Sequence, residues 1–283
     1  MKLSDIHIRD PFILLEGEKY YMYGTRGAET WGFGYGLDVY VSEDLEDWSE
    51  AIEVFTPPKG FWADKNYWAP EVHKYHGRYY MFVSFKCDAE CRGTQILAAD
   101  SPIGPFLPHS SRPVTPRDWE CLDGTLYVDK NGVPYMIFCH EWVQTVDGEM
   151  CAVQLSEDLT EAVGEPIFLF KASEPSWALK ETDKWVTDGP YVYSSSENEI
   201  ILIWASSAKD GYCEAIARCD SNDLRGNWSH DEELLFKKDG GHGMIFKTKD
   251  GKLNFTFHQP NGTPFERPKI VEVEEREGRL VVV

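Results

Sequence analysis

Tyr20-Tyr21-Met22-Tyr23 decides the reading of this chain, because the pattern returns four times. Tyr79-Tyr80-Met81-Phe82, Pro134-Tyr135-Met136-Ile137-Phe138, Ile200-Ile201-Leu202-Ile203-Trp204 and Leu253-Asn254-Phe255-Thr256-Phe257 have the same apolar, aromatic character. The spacings from Met22 through Met81, Met136 and Leu202 to Phe255 are 59, 55, 66 and 53 residues. Aromatic and branched side chains favour strands. A second signal keeps step with the first. Ser42-Glu43-Asp44-Leu45, Ser101-Pro102-Ile103-Gly104 and Ser156-Glu157-Asp158-Leu159 each lie 20 residues after the first, and Ser221-Asn222-Asp223-Leu224 lies 19 after. Trp48 and Trp228 follow two of these turns. Two signals at a constant offset mark a structural repeat.

Glycine-bearing turns sit just ahead of four of the aromatic runs: Glu16-Gly17-Glu18, His76-Gly77, Lys130-Asn131-Gly132 and Asp250-Gly251. Such turns join antiparallel strands in hairpins. No run of helical periodicity stands out. Repeating four-stranded sheets packed radially make a β-propeller, which hides its sheet edges. Five units fill the 283 residues, so the expected fold is all-β, a five-bladed β-propeller, with residues 1–283 as one domain. The last unit is short after Phe257, and a hairpin over 270–273 and 280–283 is expected to complete it.

Composition narrows the function. Ten Trp, 14 Tyr and 15 Phe supply rings of the kind that stack on sugars. A net charge of −20 repels phosphate backbones and anionic lipid, so nucleic acid and membrane surfaces are not expected partners, while a neutral ligand is not penalised. No apolar run reaches the roughly 18 residues of a membrane span. Met1-Lys2-Leu3-Ser4-Asp5 lacks the apolar core of a signal peptide, so a cytoplasmic location is expected. The seven cysteines read as buried thiols of a reducing compartment, and Cys87 and Cys91 have no second pair at zinc-site spacing.

In a propeller the first strand of each blade lines the central channel. Just before each first hairpin stand Arg9-Asp10-Pro11, Trp68-Ala69-Pro70-Glu71, Leu122-Asp123-Gly124, Thr187-Asp188-Gly189-Pro190 and Gly240-Gly241-His242-Gly243. Any one of these is a turn former on its own. Together they direct four carboxylates and an imidazole at one axis, a cluster of like charge that calls for catalysis, a cation or a polar ligand. Strand alternation puts the side chain of Arg9 on the face opposite Asp10.

These stretches resemble glycoside hydrolase family 43, the five-bladed propellers that act mainly on arabinofuranosides and xylosides. The match runs through Ile8-Arg9-Asp10-Pro11-Phe12, Tyr67-Trp68-Ala69-Pro70-Glu71-Val72, Leu122-Asp123-Gly124-Thr125, Thr187-Asp188-Gly189-Pro190 and Gly241-His242-Gly243. The resemblance implies an inverting hydrolase with Asp10 as general base, Asp123 as the carboxylate that adjusts the acid's pKa, and His242 near the axis. It implies no required cofactor, and leaves room for a calcium or sodium ion in the channel, met by His242 through water. The family's acid is a Glu in Glu-Gly-Pro; here Asp188 stands at that position, with Glu71, Glu174 and Glu181 as reserve candidates.

Inversion needs two carboxyls about 6.5–9.5 Å apart, a spacing that residues on separate blades can meet. Candidate sugar contacts are Trp31 and Phe33 in the glycine-rich loop, Trp68, Glu71, Trp142 with Glu141 and His140, His242 and Arg267. His258 is expected to reach the rim of the channel, and His7 and His73 to be structural. The expected activity is removal of terminal arabinofuranosyl or xylosyl units from neutral, plant-derived oligosaccharides. The rival is a non-catalytic carbohydrate-binding propeller whose acid has been lost.

Overall fold

A computed structural model describes residues 1–196, 198–276 and 278–283. Five antiparallel four-stranded sheets follow one another along the chain. The first holds β1 (Ile8–Glu16), β2 (Lys19–Arg26), β3 (Leu37–Ser42) and β4 (Ile52–Phe55). The second holds β5 (Lys65–Tyr75), β6 (Arg78–Cys87), β7 (Glu90–Ala99) and β8 (Leu107–Pro108). The third holds β9 (Cys121–Val128), β10 (Pro134–His140), β11 (Glu149–Leu155) and β12 (Ala162–Lys171). The fourth holds β13 (Asp188–Ser195), β14 (Ile200–Ala208), β15 (Gly211–Cys219) and β16 (Trp228–His230). The fifth holds β17 (Gly241–Lys247), β18 (Leu253–Gln259), β19 (Arg267–Arg276) and β20 (Arg279–Val282). The inner strands pack in a ring, β1 on β5, β5 on β9, β9 on β13, β13 on β17 and β17 back on β1. The fold is a five-bladed propeller.

The repeated aromatic runs are the second strands. Each is covered on both faces by sheets, which removes the polar alternation of a half-exposed strand. Met22, Met81, Met136, Leu202 and Phe255 hold matching places and are all fully buried. The serine-led signals are the turns between third and fourth strands. Ser42 Oγ accepts from the amides of Asp44 and Leu45, and Asp44 Oδ1 accepts from those of Glu46 and Asp47. Trp48 and Trp228 close their turns by donating to the carbonyls of Leu45 and Leu224.

Every blade is built from one continuous segment, so no strand is exchanged at the joint between the first and last sheets. Side chains hold that joint: Arg9 to Glu266 and Asn261, Arg267 to the carbonyl of Ser4, and Tyr20 to the amide of Lys249. All seven cysteines are free; five are buried, while Cys87 and Cys91 are half-buried. Among the described residues no helix is long and apolar enough to cross a membrane.

Candidate active site

Each inner strand loses register with its neighbour at the same level. The breaks fall between Arg9 and Phe12, between Trp68 and Glu71, opposite Ile137 and Cys139 at Asp123-Gly124, between Asp188 and Tyr191, and between Gly241 and Met244. One residue in each break has left-handed backbone: Asp10 (φ 53°), Ala69 (48°), Asp123 (56°), Gly189 (47°) and His242 (53°). A bulge inserts one extra residue and re-aims the side chains beside it. Left-handed backbone at residues with a side chain costs about 1–3 kcal/mol each and persists only where the surroundings enforce it.

The bulge corrects two expectations. Arg9 does not point away from Asp10: its Nε lies 3.8 Å from Asp10 Oδ1, and both side chains face the channel. Asp188 does not occupy the place of Asp10 and Asp123. The left-handed residue of its blade is Gly189, so Asp188 corresponds to Arg9 and Trp68, one residue earlier. Gly189 has to be glycine there, because a Cβ would stand 2.5 Å from Cδ2 of His242.

Neighbouring blades hold the bulges in place. The amide of Ala69 donates to Thr25 Oγ1 (2.8 Å) and that of Asp123 to Ser84 Oγ (2.8 Å), while that of Asp10 lies 3.3 Å from His258 Nδ1. Thr25, Ser84 and His258 occupy one place on the second strand, opposite Arg9, Trp68 and Gly241. In the fourth blade that place is Ala205, which has no side-chain acceptor. There the fully buried Glu214 of β15 faces the amides of His242 and Gly243 instead. Burial pushes the Glu214 carboxyl well above its usual range, against the pull of those amides.

The bulges surround a cavity of about 1050 Å³ that takes in Arg9, Asp10, Asp123, Asp188, Tyr212 and His242. Asp10 accepts from Thr25 Oγ1 at 2.6 Å through one oxygen. Its other oxygen lies 3.2 Å from Nδ1 of His242 and 3.3 Å from Nδ1 of His258. Burial would raise this carboxyl, but His242, His258 and Arg9 outweigh it and hold Asp10 well below the usual carboxylate range. Asp123 is pushed well above that range by burial and by the charge of Asp10, although its Oδ2 accepts from the amide of Gly189 at 3.0 Å. Asp188 is pushed up to about 7 by burial and then by Asp123, while His242 and the hydroxyl of Tyr212 pull it back. The result is one carboxyl kept ionised, Asp10, beside two that are pushed toward holding a proton, Asp123 and Asp188.

Three tryptophans wall the cavity. Trp31 is 66% exposed; its indole donates to Thr263 Oγ1 and meets Trp68 edge-on at 5.4 Å. The indole of Trp68 donates to the carbonyl of Thr30, and the Arg92 guanidinium stacks on its ring at 3.9 Å. Trp142 opens a single helical turn, Trp142–Thr145, with the Lys184 ammonium 4.8 Å from its ring. Glu141 also lines the cavity and pairs with Arg92 at 2.9 Å.

Other sequence candidates lie elsewhere. Glu71 is buried past the bulge with Oε2 3.0 Å from His73 Nε2. Arg267 donates to the carbonyls of Ser4, Pro264 and Glu266 and does not line the cavity. Glu174 and Glu181 are exposed outside it, and Phe33 is an exposed ring beside Lys65. His140 stacks on Trp119 at 4.2 Å, and His258 lies fully buried behind Asp10 instead of at the rim. Arg9, Arg92 and Tyr212 were not foreseen as cavity residues. The connections between second and third strands emerge at this end in every blade, so residues beside those turns are cavity candidates. Tyr212, directly after Asp210-Gly211, is one.

The described residues contain no group of three or more His, Cys, Asp or Glu placed to hold a metal ion. Nδ1 of His242 faces Asp10, which leaves Nε2 as the nitrogen with which this histidine would meet an ion or its water.

Comparisons with known proteins agree with this architecture. The profile of Glycosyl hydrolases family 43 matches residues 4–279. The endo-arabinase of Bacteroides thetaiotaomicron VPI-5482 superposes with a TM-score of 0.90 at 38% identity, over 99% of this chain and 98% of that one. The extracellular endo-alpha-(1->5)-L-arabinanase 1 of Bacillus subtilis is 27% identical over 145 residues, 48% of this chain and 44% of that protein. The extracellular exo-alpha-(1->5)-L-arabinofuranosidase ArbA of Cellvibrio japonicus is 26% identical over 176 residues, 56% of this chain and 46% of that protein. The match thus spans less than half the length of either curated relative. With the family profile running over nearly the whole chain and five matched bulges carrying its motifs, this chain belongs to glycosyl hydrolase family 43.

Proposed function

We propose that the protein hydrolyses arabinofuranosyl linkages with inversion, Asp10 serving as general base, Asp188 as general acid and Asp123 as the neighbouring carboxyl that adjusts the acid's pKa. The observation that carries this reading is the opposite displacement of two carboxyls in one cavity: Asp10 well below its usual range, Asp188 up to about 7. Environments that drive two acids apart assign the acid and the base. Asp188 passes its proton to the glycosidic oxygen as the bond to the anomeric carbon breaks. Asp10 takes a proton from the water that attacks that carbon from the opposite face, so the product has inverted configuration. Trp31, Trp68 and Trp142 offer apolar faces for the sugar rings.

Similarity to an endo-arabinase, an arabinanase and an arabinofuranosidase supports an arabinan-type substrate. Removal of terminal units is the mode expected from sequence; the endo-arabinase supports cleavage of internal bonds as a second reading. The test is hydrolysis of linear arabinan and of xylan by the wild type and Asp10→Asn. The first anomer formed is read by proton NMR and the product ladder by chromatography. Arabinose alone supports terminal attack, and a ladder supports internal attack. A first product of retained configuration removes the assignment of roles. No hydrolysis by either protein, with sugar binding retained, supports a carbohydrate-binding propeller.

A further inference from the structure

Tyr212 has no role in the mechanism above, yet its side chain is the closest attachment of the acid. Its hydroxyl donates to Asp188 Oδ2 at 2.8 Å. The ring is 4% exposed and stacks on the fully buried His258 at 5.6 Å and 24°. His258 in turn lies against Asp10. A ring held this way cannot swing aside, and burial pushes its own pKa well above 10, so the phenol keeps its proton and acts as a donor.

An aspartate carboxyl sits one methylene closer to its backbone than a glutamate's. The backbone here is also fixed: the next residue is the left-handed Gly189, capped by the His242 ring and bound through its amide to Asp123. A short side chain on fixed backbone has only its own rotation with which to place its two oxygens. A donor at Oδ2 removes that freedom. It also sorts the oxygens chemically, because an oxygen that accepts from a phenol is disfavoured as the site of the carboxyl proton. The proton is directed to Oδ1.

We propose that Tyr212 is the positioning residue of the proton donor: by holding Oδ2 of Asp188 it presents the protonated Oδ1 to the glycosidic oxygen and lets an aspartate do this work. The proposal rests on Asp188 being the general acid. It also gives the pH dependence a sign. Charged and titratable groups reach Asp188 from every side: Asp123 on β9, Asp10 and Arg9 on β1, His242 on β17, Cys139 on β10, and Tyr212 and Glu214 on β15. Asp123 and Asp10 raise the acid, whereas His242 and the Tyr212 hydroxyl lower it. Loss of the hydroxyl alone therefore moves the alkaline limb of activity upward.

The test is Tyr212→Phe, which retains the ring and its stacking, beside Asp188→Asn as a reference for loss of the acid. Each is assayed on an arabino-oligosaccharide and on the 4-nitrophenyl glycoside of the same sugar, whose leaving group needs little protonation. For Tyr212→Phe we expect kcat/KM on the oligosaccharide to fall about ten-fold or more, with less than about three-fold change on the nitrophenyl substrate. Its alkaline limb should rise by roughly half to one pH unit. If Asp188→Asn shows the leaving-group dependence but Tyr212→Phe slows both substrates equally with its alkaline limb unmoved, Tyr212 is structural and the proposal is overturned. If Asp188→Asn spares both substrates, or the wild type hydrolyses neither, the acid assignment itself fails and this proposal falls with it. Circular dichroism and Tm of the variants separate a folding defect from either result.

Discussion

The channel has two mouths, built by the same five strands, and they differ in almost every respect. At one end the strands are bulged, left-handed and polar, around a cavity of about 1050 Å³. At the other, regular pairing resumes, as in Phe12 with Tyr23 through Glu16 with Lys19, and the cavity of about 560 Å³ is lined mostly by apolar residues such as Leu14, Val72, Leu126 and Phe246. One extra residue per strand separates them. Within the inner strands the left-handed residues sit at the end where charge is gathered, and the remaining length of each strand is left to pack. Stability and chemistry should therefore be separable by mutation, and three experiments probe that separation.

The largest effect is expected at Asp10. Asp10→Asn keeps the shape but ends proton abstraction, so kcat should fall on the order of 10³-fold while the fold survives; steady-state kinetics on arabinan and a melting curve read the two. A loss below ten-fold would mean that Asp10 is not the base. Next comes the opposite mouth. Phe246 is buried against Tyr20 across the joint of the last and first blades, with ring centroids 6.2 Å apart. Phe246→Ala should cost about 3–5 kcal/mol in denaturant unfolding. The kcat of the folded protein should not change; a matching loss of kcat would show that the two mouths are coupled.

The smallest effect sharpens the contrast through pH. The folded protein raises Asp188 to about 7 from 3.8, so the native state holds this proton more tightly than the unfolded chain. Its contribution is full below about pH 4 and is lost as pH rises to about 7. Asp10 works with the opposite sign, because its lowered pKa favours the native state above about pH 4. Asp188→Asn removes only the first effect. Its Tm should match the wild type's at pH 4 and exceed it by roughly 2–4 °C at pH 8. Equal melting temperatures at both pH values would mean that Asp188 is not strained by ionisation.

Much of this was legible in the sequence because the repeats record burial. Met22, Met81, Met136, Leu202 and Phe255 recur because each second strand lies between sheets, and the serine-led turns recur because their side chains cap their own amides. Asp10, Asp123, Asp188 and His242 could be gathered from that repeat alone. The one-residue offset of Asp188 and the inward turn of Arg9 could not, since both depend on a backbone twist that alternation ignores. Tyr212 escaped because its partner is 24 residues away and its own surroundings read as an ordinary hairpin. Arg267 and Glu71 misled for other reasons: Arg267 turns out to the loop carbonyls, and Glu71, although part of a motif, sits past the bulge.

The side-chain joint between the first and last sheets has a consequence for biosynthesis. Asp10 is made early, but two of the groups that hold it ionised, His242 and His258, and the anchors of Arg9 arrive only with the final stretch of polypeptide. With the roles proposed above, a chain released from the ribosome four blades long would carry the acid without a competent base. Turnover should therefore report completion of the last sheet, and a C-terminal truncation is expected to abolish it abruptly instead of eroding it.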